Sequence, residues 1–438
     1  MKSLKLSRLA LPAVSLLSVA LLFSCQKDIR KPFDTGENIT AQGYELKQAV
    51  VLSRHNIRAP LSGSGSLLER MTTHQWFPWS AGASELSLRG GLLETEMGQY
   101  FRKWLEAEGL FPANYHPEEG EVRIYANAKQ RTIATAEYFL SGLLPSANME
   151  IEVQAPYDTM DPTFHPQLTF LSKSYVKAAK EQIESLFREK TANLADEYAL
   201  LSDVLDFKNS EAYRKNEVKD FAVDDYEVTF NLNAEPSMTG SLKTATSASD
   251  ALTLQYYEEP DETKAAFGHN LSFEQWQSIS RIKDTYGDVL FGAPLVAHNV
   301  AHPLLVTIEH ELSEEERAFS FLCGHDSNLC SVLAALEVEP YVLPGSIEAS
   351  TPIGAKVVFS TYVNSQKQEF LRADMVYQNV DFLRQMPLLD LDNHPCVKPL
   401  RFRGLNANED GLYRKEDFMK HLHVHAEKYD EIVATYSE

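Results

Sequence analysis

Cysteine is scarce in this chain, with four residues in 438, so a dense disulfide framework is excluded as the source of its stability. Long hydrophobic runs are missing after residue 25. No later stretch reaches the roughly 18 apolar residues that a membrane-spanning helix needs. Gly-x-Ser-x-Gly and Gly-Lys-Ser/Thr are both absent, which removes motif-based readings as a serine hydrolase or a P-loop enzyme. No internal repeat recurs at a fixed period. Basic residues are outnumbered, 41 Lys and Arg against 62 Asp and Glu, for a net charge of −21. So acidic a surface argues against nucleic acid and against anionic lipid headgroups as partners.

What is present has globular proportions. Hydrophobic residues make up 44% and charged residues 24%, and the length fits two domains of ordinary size. Lys2, Lys5 and Arg8 precede a mostly apolar run from Leu9 to Phe23. That run is short and leads to a processing site, which marks residues 1–24 as a signal peptide rather than a membrane span. The ending Leu22-Phe23-Ser24-Cys25 resembles a bacterial lipobox. It implies cleavage before Cys25, lipid attachment to its thiol, and a lipid-anchored place in the cell envelope, in the periplasm or facing outward. Gln26 after it hints at the outer membrane. An ordinary signal with a chance cysteine is the plain alternative. Residues 25–43 read as a polar tether. Losing Lys2, Lys5 and Arg8 takes the basic count to 38 against 62 acidic residues, a mature balance of −24. Cys323, Cys330 and Cys396 remain, an odd number that speaks only weakly for a disulfide. Nothing in the pattern specifies an oligomer.

Three short apolar runs predict buried strands: Gln48–Ser53, Val122–Ala126 and Ala318–Cys323. Helical spacing follows the second over Arg131–Leu144 and the third over Asn328–Leu336. After the first it appears later, as a stripe from Leu92 to Leu105 with Gly109 as a stop. Strand–helix alternation predicts an α/β core with a mainly parallel sheet flanked by helices. About 190 residues separate the second strand from the third, far more than a crossover needs. Most of them have helical spacing: Val176–Arg188, Asn193–Leu205, Phe273–Val289 and Leu295–Leu312. The simplest organisation is a discontinuous core, 44–155 and 296–438, with a mostly helical cap, 156–295, inserted in one connection. The spacing fades between Lys208 and Ser247, where no structure is assigned.

Ligands of open α/β sheets bind beyond the carboxyl ends of the strands, and all three strands end in cationic or titratable residues. The first runs into Arg54-His55-Asn56-Ile57-Arg58-Ala59-Pro60, the second leads to Asn127-Ala128-Lys129-Gln130-Arg131-Thr132, and the third gives Gly324-His325-Asp326-Ser327-Asn328. This set suits phosphoryl transfer, whose charge develops on three equatorial oxygens that guanidinium forks match in geometry. A neutral imidazole can attack phosphorus to form a phosphohistidine. A carboxylic acid such as Asp326 can protonate the departing alkoxide and then act as base toward water. Taken singly, an Arg-His pair after a strand is usually surface decoration, and a His-Asp pair before a helix usually a cap. The signal lies in all three occurring at strand ends.

At these residues the chain resembles the histidine acid phosphatases, whose signature is Arg-His-Gly-x-Arg-x-Pro early and His-Asp late. Asn56 stands where most members have glycine. That departure resembles the bacterial glucose-1-phosphatase branch, as do Ala59-Pro60-Leu61, Met160-Asp161-Pro162-Thr163-Phe164, Leu252-Thr253-Leu254-Gln255-Tyr256-Tyr257-Glu258 and Thr351-Pro352-Ile353-Gly354. The similarity runs from about Val50 to Phe418. It implies His55 as nucleophile, Asp326 as proton donor, and Arg54, Arg58, Arg131 and His325 as phosphate ligands, with no metal or other cofactor. It also implies a pocket between core and cap, so that residues 156–295 govern selectivity. Glu258, near the entrance, would then accept sugar hydroxyls and repel extra phosphates, unless it is only a solvated helix end. Asn56 would crowd the nucleophile loop and narrow the range of substrates.

Two further patterns carry less. Asn406–Gly411 with Asp417 imitates a calcium loop, but Asn stands at the first ligand position and Asp at the twelfth. A polar turn is the better reading. His421 and His425 share a helix face without a third metal ligand in the pattern. The expected activity is release of phosphate from a small phosphomonoester, a sugar phosphate such as glucose 1-phosphate. An inositol-phosphate phosphatase, a mutase and a non-catalytic sugar-phosphate-binding lipoprotein are the alternatives.

Overall fold

The computed structural model describes residues 39, 42–63, 65–190 and 194–437. The leader, Cys25 and most of the tether lie outside them. Strands β1 (Tyr44–Arg54), β2 (Val122–Ala126), β3 (Tyr226–Thr229), β4 (Ser237–Gly240), β5 (Phe319–Gly324), β6 (Lys356–Asn364), β7 (Glu369–Tyr377), β8 (Cys396–Pro399) and β9 (Tyr413–Arg414) follow in chain order. All but β3 and β4 form one seven-stranded sheet in the order β2-β5-β1-β6-β7-β8, with β9 also on β7. The three strands expected from the sequence fall within β1, β2 and β5, to within a residue. β5 runs parallel between β1 and β2. Every other pairing in this sheet is antiparallel.

The α/β class with flanking helices therefore holds, while the expectation of a mainly parallel sheet is corrected. Only the half that carries the strand-end motifs is parallel. The remaining strands come from a hairpin and two short edge strands after Ala355, where no strand–helix alternation exists to signal them.

Alternate residues of β1 face opposite layers. Ala49 and Val51 join Met97, Phe101 and Phe139 on one face. Val50 and Leu52 join Leu304, Ile308, Leu329 and Phe418 on the other. On the first face the helices Leu88–Ala107 and Gln130–Leu143 approach so closely that a Cβ on Gly98 would lie 2.1 Å from the Phe139 carbonyl oxygen. Gly109, with φ +76°, follows the end of the Leu88 helix. The second face is covered by Pro294–Ser313, Asp326–Ala335 and Lys415–Tyr436.

Between β2 and β5 lie the helices Lys173–Lys190, Leu194–Val204, Ser241–Glu258 and Phe273–Phe291, which share a third apolar cluster. The helical stretches read from sequence are all found. The unassigned stretch from Lys208 holds a helical turn, Glu211–Arg214, and the β3–β4 hairpin. Cys323, Cys330 and Cys396 are free thiols. No single described helix is long and apolar enough to cross a membrane.

Candidate active site

The carboxyl ends of β1, β2 and β5 open onto a cavity of about 270 Å³, lined among others by His55, Arg58, Arg131, His325 and Asp326. The two imidazoles meet edge to face with ring centroids 5.4 Å apart. Arg54 is fully buried behind them. Its guanidinium lies 3.4 Å from Asp326 and 3.2 Å from Glu348, and donates to the Thr351 carbonyl at 2.6 Å. The structure thus brings together all six residues assigned to phosphate chemistry.

Local hydrogen bonds fix the orientation of each ring. His55 Nδ1 lies 2.9 Å from the carbonyl oxygen of Asn56. A carbonyl only accepts, so Nδ1 carries the proton and Nε2 keeps its lone pair. Asn127 Oδ1 accepts from the backbone N–H groups of Ala128 and Asp161, at 2.8 and 2.9 Å. Its amide nitrogen is thereby turned to His325 Nε2, 2.6 Å away, which places the His325 proton on Nδ1, 3.4 Å from an Arg131 nitrogen. Two donors side by side are suited to one oxyanion. Asn328 holds the His325 loop, accepting from the His325 N–H and donating to the Phe164 carbonyl, both at 2.8 Å. Asp326 begins the helix Asp326–Ala335, where the helix N-terminus favours negative charge.

Electrostatics follow from this packing. Burial, and then the Arg131 charge, holds His55 well below the ordinary imidazole range. The same two causes depress His325, so the site favours the neutral form of both rings. For Asp326 desolvation works upward, but Arg54, Lys283 and Arg58 together hold the carboxyl below its usual range. Arg131 forms no ion pair among the described residues. Burial and the neighbouring Arg58 push it down to about 10. The Nε atoms of Arg54, Arg58 and Arg131 are buried without an acceptor among the described residues. Buried donors of this kind are met by ordered water or by a bound anion.

Other functional positions carried no sequence signal. Glu348, buried in a loop before β6, bridges Arg54 and Lys283, the latter at 2.7 Å, and accepts from the Ile353 N–H. Asp250, on the Ser241–Glu258 helix, pairs with Arg58 at 3.1 Å. Glu235 and Lys243 complete the wall facing the strand ends. All five, Lys283 included, are ordinary charged residues in segments without a motif.

Neither Asn56 nor Glu258 lines the cavity, which corrects the direct contact with substrate expected of Glu258, whereas Asn56 sits within the nucleophile loop it was expected to crowd. Asn56 is fully buried; its side chain accepts from the Ile57 N–H and donates to Glu94, both at 2.8 Å. Glu258 accepts from Ser87 at 3.1 Å and lies 3.9 Å from Arg89. It pins the end of its helix to the start of the Leu88 helix. The calcium-like turn spends its groups internally and on Tyr44. His421, His423 and His425 turn to separate partners: the Leu336 carbonyl, Glu309 and His298.

Convergent arginines, two neutral imidazoles and one carboxylate at the ends of parallel strands define a site for phosphate monoesters. A family model of the histidine phosphatase superfamily (branch 2) matches residues 45–375. The glucose-1-phosphatase of Salmonella typhimurium is 35% identical over 385 residues, covering 86% of this chain and 92% of that protein. The glucose-1-phosphatase of Providencia rettgeri is 34% identical over 381 residues, covering 86% and 90%. The phytase of Hafnia alvei, solved with myo-inositol hexakis sulphate, matches with a TM-score of 0.79 at 27% identity, over 87% of this chain and 97% of its own. The chain belongs to branch 2 of the histidine phosphatase superfamily and is a histidine acid phosphatase that hydrolyses phosphomonoesters.

Proposed function

We propose that this phosphatase acts on a sugar monophosphate of the glucose 1-phosphate kind, with His55 as nucleophile and Asp326 as proton donor. Nε2 of His55 attacks phosphorus while Arg54, Arg58, Arg131 and His325 Nδ1–H hold the equatorial oxygens. The bond from phosphorus to the sugar oxygen breaks, and the Asp326 proton passes to that oxygen. Asp326, now ionised, takes a proton from water. The resulting hydroxide attacks the phosphohistidine, the P–N bond breaks, and phosphate leaves. Asp326 is a carboxylate in the free protein; a bound phosphate dianion offsets the arginines around it and lets it hold a proton.

The observation that carries the preference for a monophosphate is the wall opposite the strand ends. It presents Glu235, Asp250 in its ion pair with Arg58, and one lysine, Lys243, that has no carboxylate partner among the described residues. Carboxylates accept sugar hydroxyls and repel further phosphates. The relatives named glucose-1-phosphatases support this reading. The inositol-phosphate reading keeps its support from the phytase neighbour.

Initial rates of phosphate release from glucose 1-phosphate and from myo-inositol hexakisphosphate, at equal concentration, separate the two. Faster release from the hexakisphosphate reverses the order. His55→Ala must abolish both. We further propose export by the leader and anchoring through a lipid on Cys25. Incorporation of labelled fatty acid into wild type but not Cys25→Ala tests this, and equal labelling refutes it.

A further inference from the structure

Beneath the nucleophile loop lies a group of charges that the reaction does not use. Lys356 and Glu94 are both fully buried, with Lys356 Nζ 2.7 Å from Glu94 Oε1. The other carboxylate oxygen, Oε2, accepts from the Asn56 side-chain amide at 2.8 Å. Lys356 also donates to the Gly354 carbonyl at 2.9 Å, and the Gly354 N–H donates to the His55 carbonyl at 3.1 Å. Gly354 has φ +67°, and a Cβ there would lie 2.6 Å from the Asn56 amide nitrogen. The backbone N–H of Asn56 donates to Thr135 Oγ1 at 3.2 Å. Three distant segments, around residues 56, 94 and 354, therefore close on one amide side chain.

A buried ion pair is a poor way to stabilise a fold, because well-packed apolar side chains of the same volume do as well or better. Here the space beside it is apolar already: the ammonium sits 5.6 and 5.8 Å from the ring centres of Phe139 and Phe321. What the pair adds is direction. Glu94 fixes the Asn56 side chain, Lys356 fixes Gly354, and both act on the peptide groups that flank His55. The Asn56 carbonyl is the one that accepts the His55 Nδ1 proton.

We propose that Lys356, Glu94 and Asn56 are positioning residues that hold the Asn56 carbonyl against Nδ1 and thereby keep Nε2 of His55 aimed at phosphorus. The proposal rests on His55 being the nucleophile and adds how its tautomer and aim are set. Asn at position 56 thus acts from behind the nucleophile, away from the substrate.

The test uses Asn56→Ala in the full-length protein, held well below its melting temperature. Rapid-quench measurement of phosphoenzyme formation should show a loss of about tenfold or more with KM changed less than about twofold. The 15N signals of His55 in the resting protein should show that the Nδ1–H tautomer no longer dominates. A folded Asn56→Ala protein with wild-type phosphorylation rate and an unchanged tautomer overturns the proposal. Should Asn56→Ala fail to fold, the exchange Asn56→Asp with Glu94→Gln keeps the net charge and the bond. The double variant should retain at least about half the wild-type rate, while Asn56→Asp alone sets two carboxylates together and Glu94→Gln alone leaves Lys356 unpaired, each losing about tenfold. Single variants as fast as wild type overturn the proposal. The tautomer signal does not depend on turnover, so absence of any phosphohistidine in the wild type would count against the nucleophile and leave the positioning question separately answered.

Discussion

Replacing Asp326 by Asn removes a proton donor while keeping the shape of the side chain, and its effect must depend on the leaving group. Asp326 lies 3.4 Å from the Arg54 guanidinium and its side chain is 53% exposed. At an effective dielectric of about 40, suited to a half-exposed pair, the attraction is about 2 kcal/mol. It favours the carboxylate, and a bound phosphate that shares the arginine weakens that preference and lets the acid form appear. With glucose 1-phosphate the leaving group is an alkoxide, which cannot depart without a proton. Loss of a positioned acid then costs about 10²–10⁴ in kcat, or about 3–5 kcal/mol of barrier. With p-nitrophenyl phosphate the phenolate departs unaided, and the loss should stay below about tenfold. The KM should not rise, because the amide also removes a negative charge beside the phosphate. In the wild type kcat for the sugar substrate falls as pH rises through the acid's pKa in the complex, and the Asp326→Asn protein should lack that limb. The assay is kcat for both substrates on both proteins across pH. Equal losses for the two leaving groups would refute the role of Asp326 as donor.

Two further outcomes follow from the packing. Burial, followed by the neighbouring His421 and His298, pushes the His425 imidazole down to about 4. An unfolded histidine takes its proton near 6.5, so this group stabilises the fold above that pH and loses its contribution as pH falls toward 4. Urea unfolding of wild type and His425→Phe at pH 7 and pH 4.5 should differ in their acid loss by about 2 kcal/mol, and equal losses would dismiss the effect. Glu258→Ala should leave the ratio of rates on glucose 1-phosphate and myo-inositol hexakisphosphate within about twofold, because Glu258 faces Ser87 and Arg89, while lowering the melting temperature by about 1 °C, the effect of roughly 1 kcal/mol in a chain of this length. A large change in that ratio would return Glu258 to the pocket.

The parallel half of the sheet was legible because its strands are buried on both faces and read as unbroken apolar runs. The site was legible for a related reason: its residues stand directly after those runs. β6 and β7 were not assigned, although Lys356–Asn364 is buried over all but its last residue. They join as a hairpin and lack the following helix that marked the others. The partner of Asn56 was not legible, because neighbouring side chains at a strand end point to opposite sides, so that His55 enters the cavity and Asn56 turns toward Glu94. Glu258 was misread along a helix. It lies eight residues beyond Asp250, about 12 Å farther along the axis, which carries it out of the pocket and onto the Leu88 helix. Glu348 and Lys283 were invisible because pairing across the chain leaves no local pattern.

The position of β5 has a consequence for when the molecule becomes an enzyme. β1 and β2 do not touch in the sheet; the strand between them is drawn from residues 319–324, almost two hundred residues after β2. Pairings so distant in sequence close late and slowly. A chain emerging from the ribosome carries the Arg54-His55 segment and Arg131 long before the strand that joins them. Until that strand is inserted, the histidines and arginines belong to separate pieces of polypeptide with no common pocket. Catalytic competence should therefore arrive in one step with the closing of the sheet, and a chain cut short of residue 326 should be inert however well its earlier helices have formed.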